Sequence, residues 1–334
     1  MLSRIRQVLA SSQAAPGHPS TEQATRVDLG TLVQLHHPAR LIPLRAGSIR
    51  ASGSGQYGSR FRGRGMEYDE SRPYTPGDDT RNLDWRVTAR TGRVHTKLFR
   101  EERERPVILA VDYRPAMFFA TRGRFKSVLA SHLAALLAWS ADQHGDRIGG
   151  QILTATGVHE YRPQRGRKAV LHLLRQLQRN SRQAPPDQVQ PPASNKPPSL
   201  AAAIQRLRRV THPGSLVVLI SDFRGLDREA SAALAQLGAH ADLILIAISD
   251  PLEEHLPPPG YYRLSDGRRS IDLDSADRQF DADYQQRFRQ RQETLRVLAR
   301  QSRARLITAH TGDDPLTVLM QGLGLVQFGN GVAN

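Results

Sequence analysis

Two aspartates close runs of aliphatic and β-branched residues: Asp112 ends PVILAVD (106–112) and Asp222 ends SLVVLISD (215–222). Runs of this kind read as strands buried on both faces, the pattern of a parallel sheet. In an open parallel sheet, ligands gather outside the carboxyl ends of the strands, where the strand order reverses. These two runs are the expected neighbours at that point. Two converging carboxylates are the ordinary basis of a hard-cation site, because Mg²⁺ takes oxygen ligands, often one or two carboxylates plus water. The competing expectation is that each Asp caps the turn after its strand. Other catalytic signatures fail. GSGQYG (53–58) matches GxGxxG, but no strong strand precedes it and no helix follows. There is no GxxxxGK[ST], GxSxG or HExxH, and the 12 histidines lack ligand spacing.

The elements that must position these residues alternate from residue 106 onward. Further strands are expected at 147–154, 242–250 and 304–311, with an antiparallel edge hairpin at 157–163. Helical periods fall at 123–143, 166–180, 199–210, 227–240 and 275–303, with another helix after 313. In the 275–303 helix, Phe280, Tyr284, Phe288, Leu295 and Leu298 form one apolar stripe opposite an Arg-rich face. This alternation predicts a doubly wound, mostly parallel α/β sheet with helices on both faces. SRQAPPDQVQPPASNKPP (181–198) reads as a Pro-rich linker, and 251–275 as an irregular insert with a short hairpin. Residues 1–25 read as disordered. Residues 26–105, rich in Gly and Arg and with a strand at 93–99, read as a small β-rich module, followed by the α/β domain over 106–334. No internal repeat is present.

Composition bounds the function. The 334 residues contain no cysteine, which excludes disulfides, thiolate nucleophiles and Cys-ligated metal centres. No stretch reaches the ~18 consecutive apolar residues of a membrane span, and the apolar run of the N-terminus is broken by Arg4, Arg6 and Gln7, so a cytoplasmic location is expected. The formal charge is +15, and of 47 cations only Lys97, Lys126, Lys168 and Lys196 are lysines. A GC-rich genome accounts for that bias. The alternative is that guanidinium groups meet carboxylates or phosphates on an acidic partner. The densest basic patch, 159–182, has seven cations and one anion but a single aromatic, Tyr161, so stacking on nucleic-acid bases is not indicated.

The run GRGMEYDESRPYTPGDDTRNLDWRVTARTGRVHTKLFREERERPVILAVD (63–112) resembles the signature of the bacterial domain-of-unknown-function family fifty-eight. Gly63, Gly65, Glu67, Tyr68, Arg72, Tyr74, Pro76, Gly77, Asp78, Asp79, Arg81, Asp84, Trp85, Ala89, Arg90, Glu102 and Asp112 stand in that family's order, and LVVLISDF (216–223) resembles its later strand. The resemblance implies a von Willebrand A-like domain and partnership with MoxR-type AAA+ ATPases and other von Willebrand A proteins. In metal-binding members of the wider fold the first strand ends Asp-x-Ser-x-Ser, a loop supplies Thr, and a later strand ends in Asp. Here the first motif is Asp112, Tyr113, Arg114, Pro115, Ala116, which leaves a degenerate metal set of Asp112, Asp222 and Ser199. Arg114 then stands where a hydroxyl ligand would be. Its fork could pair with Asp112 or Asp222 as a charge substitute for the metal, or point into solvent.

These features together predict a non-enzymatic cytoplasmic adaptor or co-chaperone without a cofactor, serving complex assembly, cofactor insertion or stress response. A basic nucleic-acid-binding module is one alternative. A Mg²⁺-dependent hydrolase using Asp112 and Asp222 is the other. A second functional region is expected at PYTPGDDTRNLDWR (73–86), where turn residues Pro76, Gly77, Asp78 and Asp79 sit among alternating charges. Glu67, Arg72, Asp78, Asp79, Arg81, Asp84 and Arg90 would form an ion-pair network, with Trp85 docking the module onto the sheet domain, or the same face would bind a partner.

Overall fold

A computed structural model of the protein describes residues 21–44, 66–75, 78–101, 105–182, 198–265 and 270–325. The GxGxxG match at 53–58, Pro76, Gly77 and most of the Pro-rich linker lie outside the described residues. The chain divides into two compact units: Ser54–Glu104 is one, and Met1–Gly53 with Arg105–Asn334 is the other.

This division corrects the expected boundaries. Helices α1 (Thr21–Thr25) and α2 (Leu29–Gln34) belong to the large unit, not to a disordered tail or to the small module. Asp28 caps α2 by accepting from the Thr31 amide at 3.1 Å. Val27, Leu32, Ala39, Ile42 and Leu44 then enter the main core. Leu32 and Ile42 are wholly buried, and each such side chain contributes about 1.5–3 kcal/mol. The Trp139 indole N–H donates to the Leu32 carbonyl at 2.9 Å, and Ser140 Oγ donates to that of Ile42.

The small unit pairs β1 (Met66–Pro73) antiparallel with β2 (His95–Glu101), with helix α3 (Trp85–Thr91) between them. It is a ribbon plus a helix, more mixed than β-rich. The helix is short because its signals are close together: Asp84 caps its start, and Gly92, at φ 69°, ends it in the left-handed conformation.

In the large unit, β3 (Pro106–Tyr113), α4 (Lys126–Gln143), β4 (Arg147–Thr154), β5 (Val158–Arg165), α5 (Arg167–Ser181), α6 (Leu200–Val210), β6 (Leu216–Ser221), α7 (Arg228–Gly238), β7 (Asp242–Ser249), α8 (Pro251–Glu254), the β8–β9 hairpin (Tyr261–Ser265, Ser270–Asp274), α9 (Arg278–Gln301), β10 (Arg305–His310) and α10 (Pro315–Gly322) follow in order. The sheet runs β10-β7-β6-β3-β4-β5, parallel except for the antiparallel edge strand β5. Its faces carry separate cores. Val107, Leu109 and Val111 of β3 pack with α4, α5, α10 and the N-terminal segment; Ile108 and Ala110 pack with α6, α7 and α9. Helix α4 is covered almost all round, which is why its sequence is apolar on every face. Strand order reverses between β3 and β6, as expected, and this places Asp112 and Asp222 at the switch point.

Candidate functional site

At the carboxyl edge of the sheet, Asp112, Asp222, Asp250 and Glu253 stand at the ends of β3, β6 and β7. Asp112, the penultimate residue of β3, is 1% exposed. It accepts hydrogen bonds from the Arg114 amide (2.9 Å), from Arg114 Nε (3.1 Å to each oxygen) and Nη2 (2.7 Å), and from Ser221 Oγ (2.7 Å). Arg114 therefore turns back onto Asp112 and does not point into solvent. Burial alone would lower the guanidinium's pKa; the bond and charge of Asp112, with the charge of Asp222, raise it instead.

Asp222, just past β6, accepts from Lys126 Nζ at 3.1 Å and from the Arg224 amide at 3.0 Å, with Arg224 Nε 3.6 Å away. Glu253 of α8 accepts from the same Lys126 ammonium at 2.7 Å and from Arg224 Nη2 at 2.7 Å. Lys126 itself is 0% exposed, whereas the Arg224 side chain is 48% exposed. Asp250 and Glu253 form a capping box at the head of α8, with Pro251 at its first turn. Asp250 also gathers the Thr121 amide (2.9 Å), the Thr121 hydroxyl (2.6 Å) and the Thr311 hydroxyl (2.8 Å). Burial would push the Asp250 carboxyl up; these bonds outweigh it and hold the group below its ordinary value. Ser199 is the N-cap of α6, its hydroxyl accepting from the Ala202 amide at 3.1 Å.

This donor set does not fit a divalent cation. The lone pairs of Asp112 that would face a metal are taken by a guanidinium and a hydroxyl, and those of Asp222 and Glu253 by an ammonium and a second guanidinium. No group of three or more His, Asp or Glu side chains positioned to hold a metal ion occurs among the described residues.

Beside this cluster a cavity of about 640 Å³ opens between the ends of β6 and β7 and helix α9. Phe223, Ile248, Phe288 and Leu295 give it apolar walls; Arg287 and Arg291 line it on the α9 side, and Arg224 stands with the carboxylates of Asp222, Asp227 and Glu253 on the other. Phe223 has φ 54°, a left-handed conformation that a bulky residue rarely adopts and that recurs where function constrains the backbone. The expected stripe on α9 is split accordingly. Leu295 and Leu298 join the core, Phe288 is buried beside the cavity, and Phe280 at the other end is 43% exposed.

The family model for "Protein of unknown function DUF58" matches residues 70–294. The chain belongs to that family. Its large unit has the doubly wound, mostly parallel α/β sheet with helices on both faces that the sequence predicted. Two curated relatives of this DUF58 chain are the uncharacterized proteins Rv1480 of Mycobacterium tuberculosis and Mb1516 of Mycobacterium bovis. Each is 32% identical over 209 residues, which is 63% of this chain and 63% of the relative. The chain thus spans less than two thirds of the length of either. Among solved structures it is similar to an aerotolerance-related membrane protein of Bacteroides fragilis, with TM-score 0.42 and 13% identity, covering 66% of this chain and 100% of that one. It is also similar to a von Willebrand factor type A protein of Catenulispora acidiphila, with TM-score 0.37 and 12% identity, covering 70% and 43%. No helix among the described residues is long and apolar enough to cross a membrane.

Among the described residues of the small unit of this DUF58 protein, the charged side chains form one ion pair and a set of caps. Arg72 Nη2 lies 2.6 Å from Asp78, which also accepts from the Thr75 amide at 2.9 Å. That amide bond first, then Arg72, holds the Asp78 carboxyl below its ordinary value. Asp84 accepts from Ser71 Oγ at 2.6 Å and from the Arg86 and Val87 amides that open α3; the Ser71 bond leads in lowering its pKa. Asp79 accepts from the Arg81 amide at 3.0 Å. Arg81 and Arg90 are exposed, and Trp85 is 68% exposed. Glu67 faces Arg100 in the β1–β2 register, and its side chain lies outside the described residues.

Sequence reasoning found Asp112, Asp222 and Arg114 and missed Lys126, Arg224, Asp250 and Glu253. Two signals pointed to them. Lys126 is one of four lysines among 47 cations and heads a helix that is otherwise apolar. Asp250-Pro251-Leu252-Glu253 spells a helix start with a capping box where the expected strand 242–250 meets the expected insert 251–275.

Proposed function

We propose that this DUF58 protein is a non-enzymatic cytoplasmic adaptor. It works with a MoxR-type AAA+ ATPase and other von Willebrand A proteins in the assembly of protein complexes, and the carboxyl edge of its sheet serves as the recognition face. The observation that carries this reading is the state of the acidic groups there. Asp112, Asp222, Asp250 and Glu253 are all bonded to the chain's own donors, so none is poised as a general base or a metal ligand. What faces outward is an apolar-walled cavity flanked on the α9 side by the guanidinium groups of Arg287 and Arg291, with Arg224 paired to Glu253 across from them. Such a surface suits recognition of an acidic, partly apolar segment of a protein partner. The adaptor role and the ATPase partner rest on the family resemblance, and the edge supports them by its chemistry.

The test is to co-purify the full chain with the MoxR-type ATPase from the same genome, with and without ATP. The affinity of the wild type is then compared with that of Arg287→Glu plus Arg291→Glu. Specific co-elution that weakens at least tenfold with the double variant supports the reading. Absence of co-elution in every nucleotide state, or binding indifferent to the variant, overturns it.

A further inference from the structure

A lysine is a poor choice for the position that Lys126 occupies. It is the first residue of α4, at the positive end of the helix dipole, where a cation is disfavoured. It is also wholly removed from water, which costs a lone ammonium several kcal/mol. Only strong compensation keeps it there, and that comes from Asp222 at 3.1 Å and Glu253 at 2.7 Å. These carboxylates come from the segments that follow the adjacent strands β6 and β7, at the edge where an open α/β sheet binds its ligands.

A point between two carboxylates, beside a strand-end Asp, is the kind of place a hard cation takes with one or two carboxylates and water, at the shorter oxygen distance of about 2.0–2.6 Å. Here an ammonium occupies it, and the neighbouring carboxylate, Asp112, has its own guanidinium. We propose that Lys126 is a tethered replacement for a divalent ion. The chain carries the positive charge of its sheet edge covalently, so the edge assembles without metal and withstands chelation. The inference concerns the edge itself and stands whichever partner binds there.

The clearest consequence is that removal of the ammonium should convert the protein to metal dependence. In Lys126→Ala the side chain vacates the space between Asp222 and Glu253, and Arg224, which donates to Glu253 at 2.7 Å and lies 3.6 Å from Asp222, keeps the two carboxylates close on their outer side. In Lys126→Met, the charge is lost but the space stays filled. The full-length wild type, melted in chelator and in millimolar Mn²⁺ or Mg²⁺, should show the same midpoint in each. Lys126→Ala should melt lower in chelator and recover by roughly 5–10 °C at an ion concentration ~100-fold above its dissociation constant. Lys126→Met should be destabilised and should not respond. Electron paramagnetic resonance of Mn²⁺ gives the binding stoichiometry without reference to stability: none for wild type and Met, one site for Ala.

If Lys126→Ala shows no cooperative melt in chelator, the same comparison is made by refolding it with and without Mn²⁺, and recovery with the ion is the expected result. A wild type that binds one Mn²⁺ or is stabilised by it overturns the proposal. So does an Ala variant that neither binds nor is rescued, or a Met variant that responds as Ala does.

Discussion

Two clusters of Arg, Lys and Asp use the same chemistry at different depths. At the carboxyl edge of the sheet, Lys126, Asp112, Asp222 and Glu253 have side-chain exposures of 0%, 1%, 3% and 9%. In the small unit, the Arg72 and Asp78 side chains are 38% and 19% exposed. Water competes for the second pair and salt screens it, so it holds its turn in place at little energetic stake. The four groups at the sheet edge have given up their hydration, with only Arg224 at the rim 48% exposed, and each buried charge depends on the others being present. A contact distance of 2.6 Å in the small unit and 2.7 Å at the sheet edge says nothing of this difference. Burial says it.

The largest effect is expected where a buried charge loses its counter-charge. Lys126→Met should cost about 3–5 kcal/mol, because Asp222 and Glu253 stay buried with less compensation. Adding Glu253→Gln should recover part of that loss, since the second change removes a charge the first one stranded. Urea unfolding followed by circular dichroism measures both. A cost below about 1 kcal/mol for the single variant would place the sheet edge in the same class as the Arg72–Asp78 pair and erase the contrast.

Protonation adds a pH axis through groups in both units. His132, on α4, has its pKa lowered by burial to about 4 from the ordinary 6.5. The unfolded chain therefore binds the additional proton first. The His132 contribution is complete above about pH 6.5, falls as the pH drops, and is exhausted near pH 4, a loss of at most about 3 kcal/mol. The lowered carboxyls, Asp250 in the large unit with Asp78 and Asp84 in the small one, contribute stability that is present above their ordinary 3.8 and lost only in more acid solution. Denaturant midpoints between pH 7 and pH 4 should decline in the wild type and stay flatter in His132→Gln. An equal decline in both would assign that limb to other groups.

A smaller loss is expected from Asp84→Ala, which removes the cap of α3 and the bond from Ser71 together. Asp84→Asn, which keeps a capping oxygen without the charge, should retain most of the stability. If the Asn variant melts as low as the Ala variant, the charge matters more than the cap, and the small unit resembles the sheet edge more than its exposure implies.

How much of this could be read from the chain follows the same division. Strands buried on both faces announce themselves as unbroken Val/Ile/Leu runs, and all five expected parallel strands formed within a residue or two of their expected limits. Asp112 was legible because it ends such a run, and Arg114 because it lies two residues on. The pairing of the buried lysine was not, since its partners come from 96 and 127 residues away, and nothing local in GRFKSVLASH marks them. The segment 26–44 was assigned to the wrong unit for a related reason. Its helix α2 is only six residues long, too short for a clear period, and its cover, Trp139 and Ser140, lies about a hundred residues on in α4.

The smallest effect on stability is expected at Asp78, Asp79 and Trp85, and for that reason these residues can test for a partner. Asp78 holds an exposed turn and Asp79 a single amide, while Trp85 leaves two thirds of its surface in water. An aromatic so exposed contributes little by burial, yet aromatic side chains are among those enriched where proteins meet. Replacing Asp78 and Asp79 together by Ala should leave the melting midpoint close to that of the wild type, and so should Trp85→Ala. If ATPase capture is lost in these variants while the melt is unchanged, the 73–86 face is a second contact, separate from the sheet edge. If the melt falls and capture falls only in proportion, the residues are structural, and the contrast between a buried cluster and a dispensable exposed one fails. If neither property moves, the face has no part in stability or in capture, and the carboxyl edge remains as the place where recognition is tested.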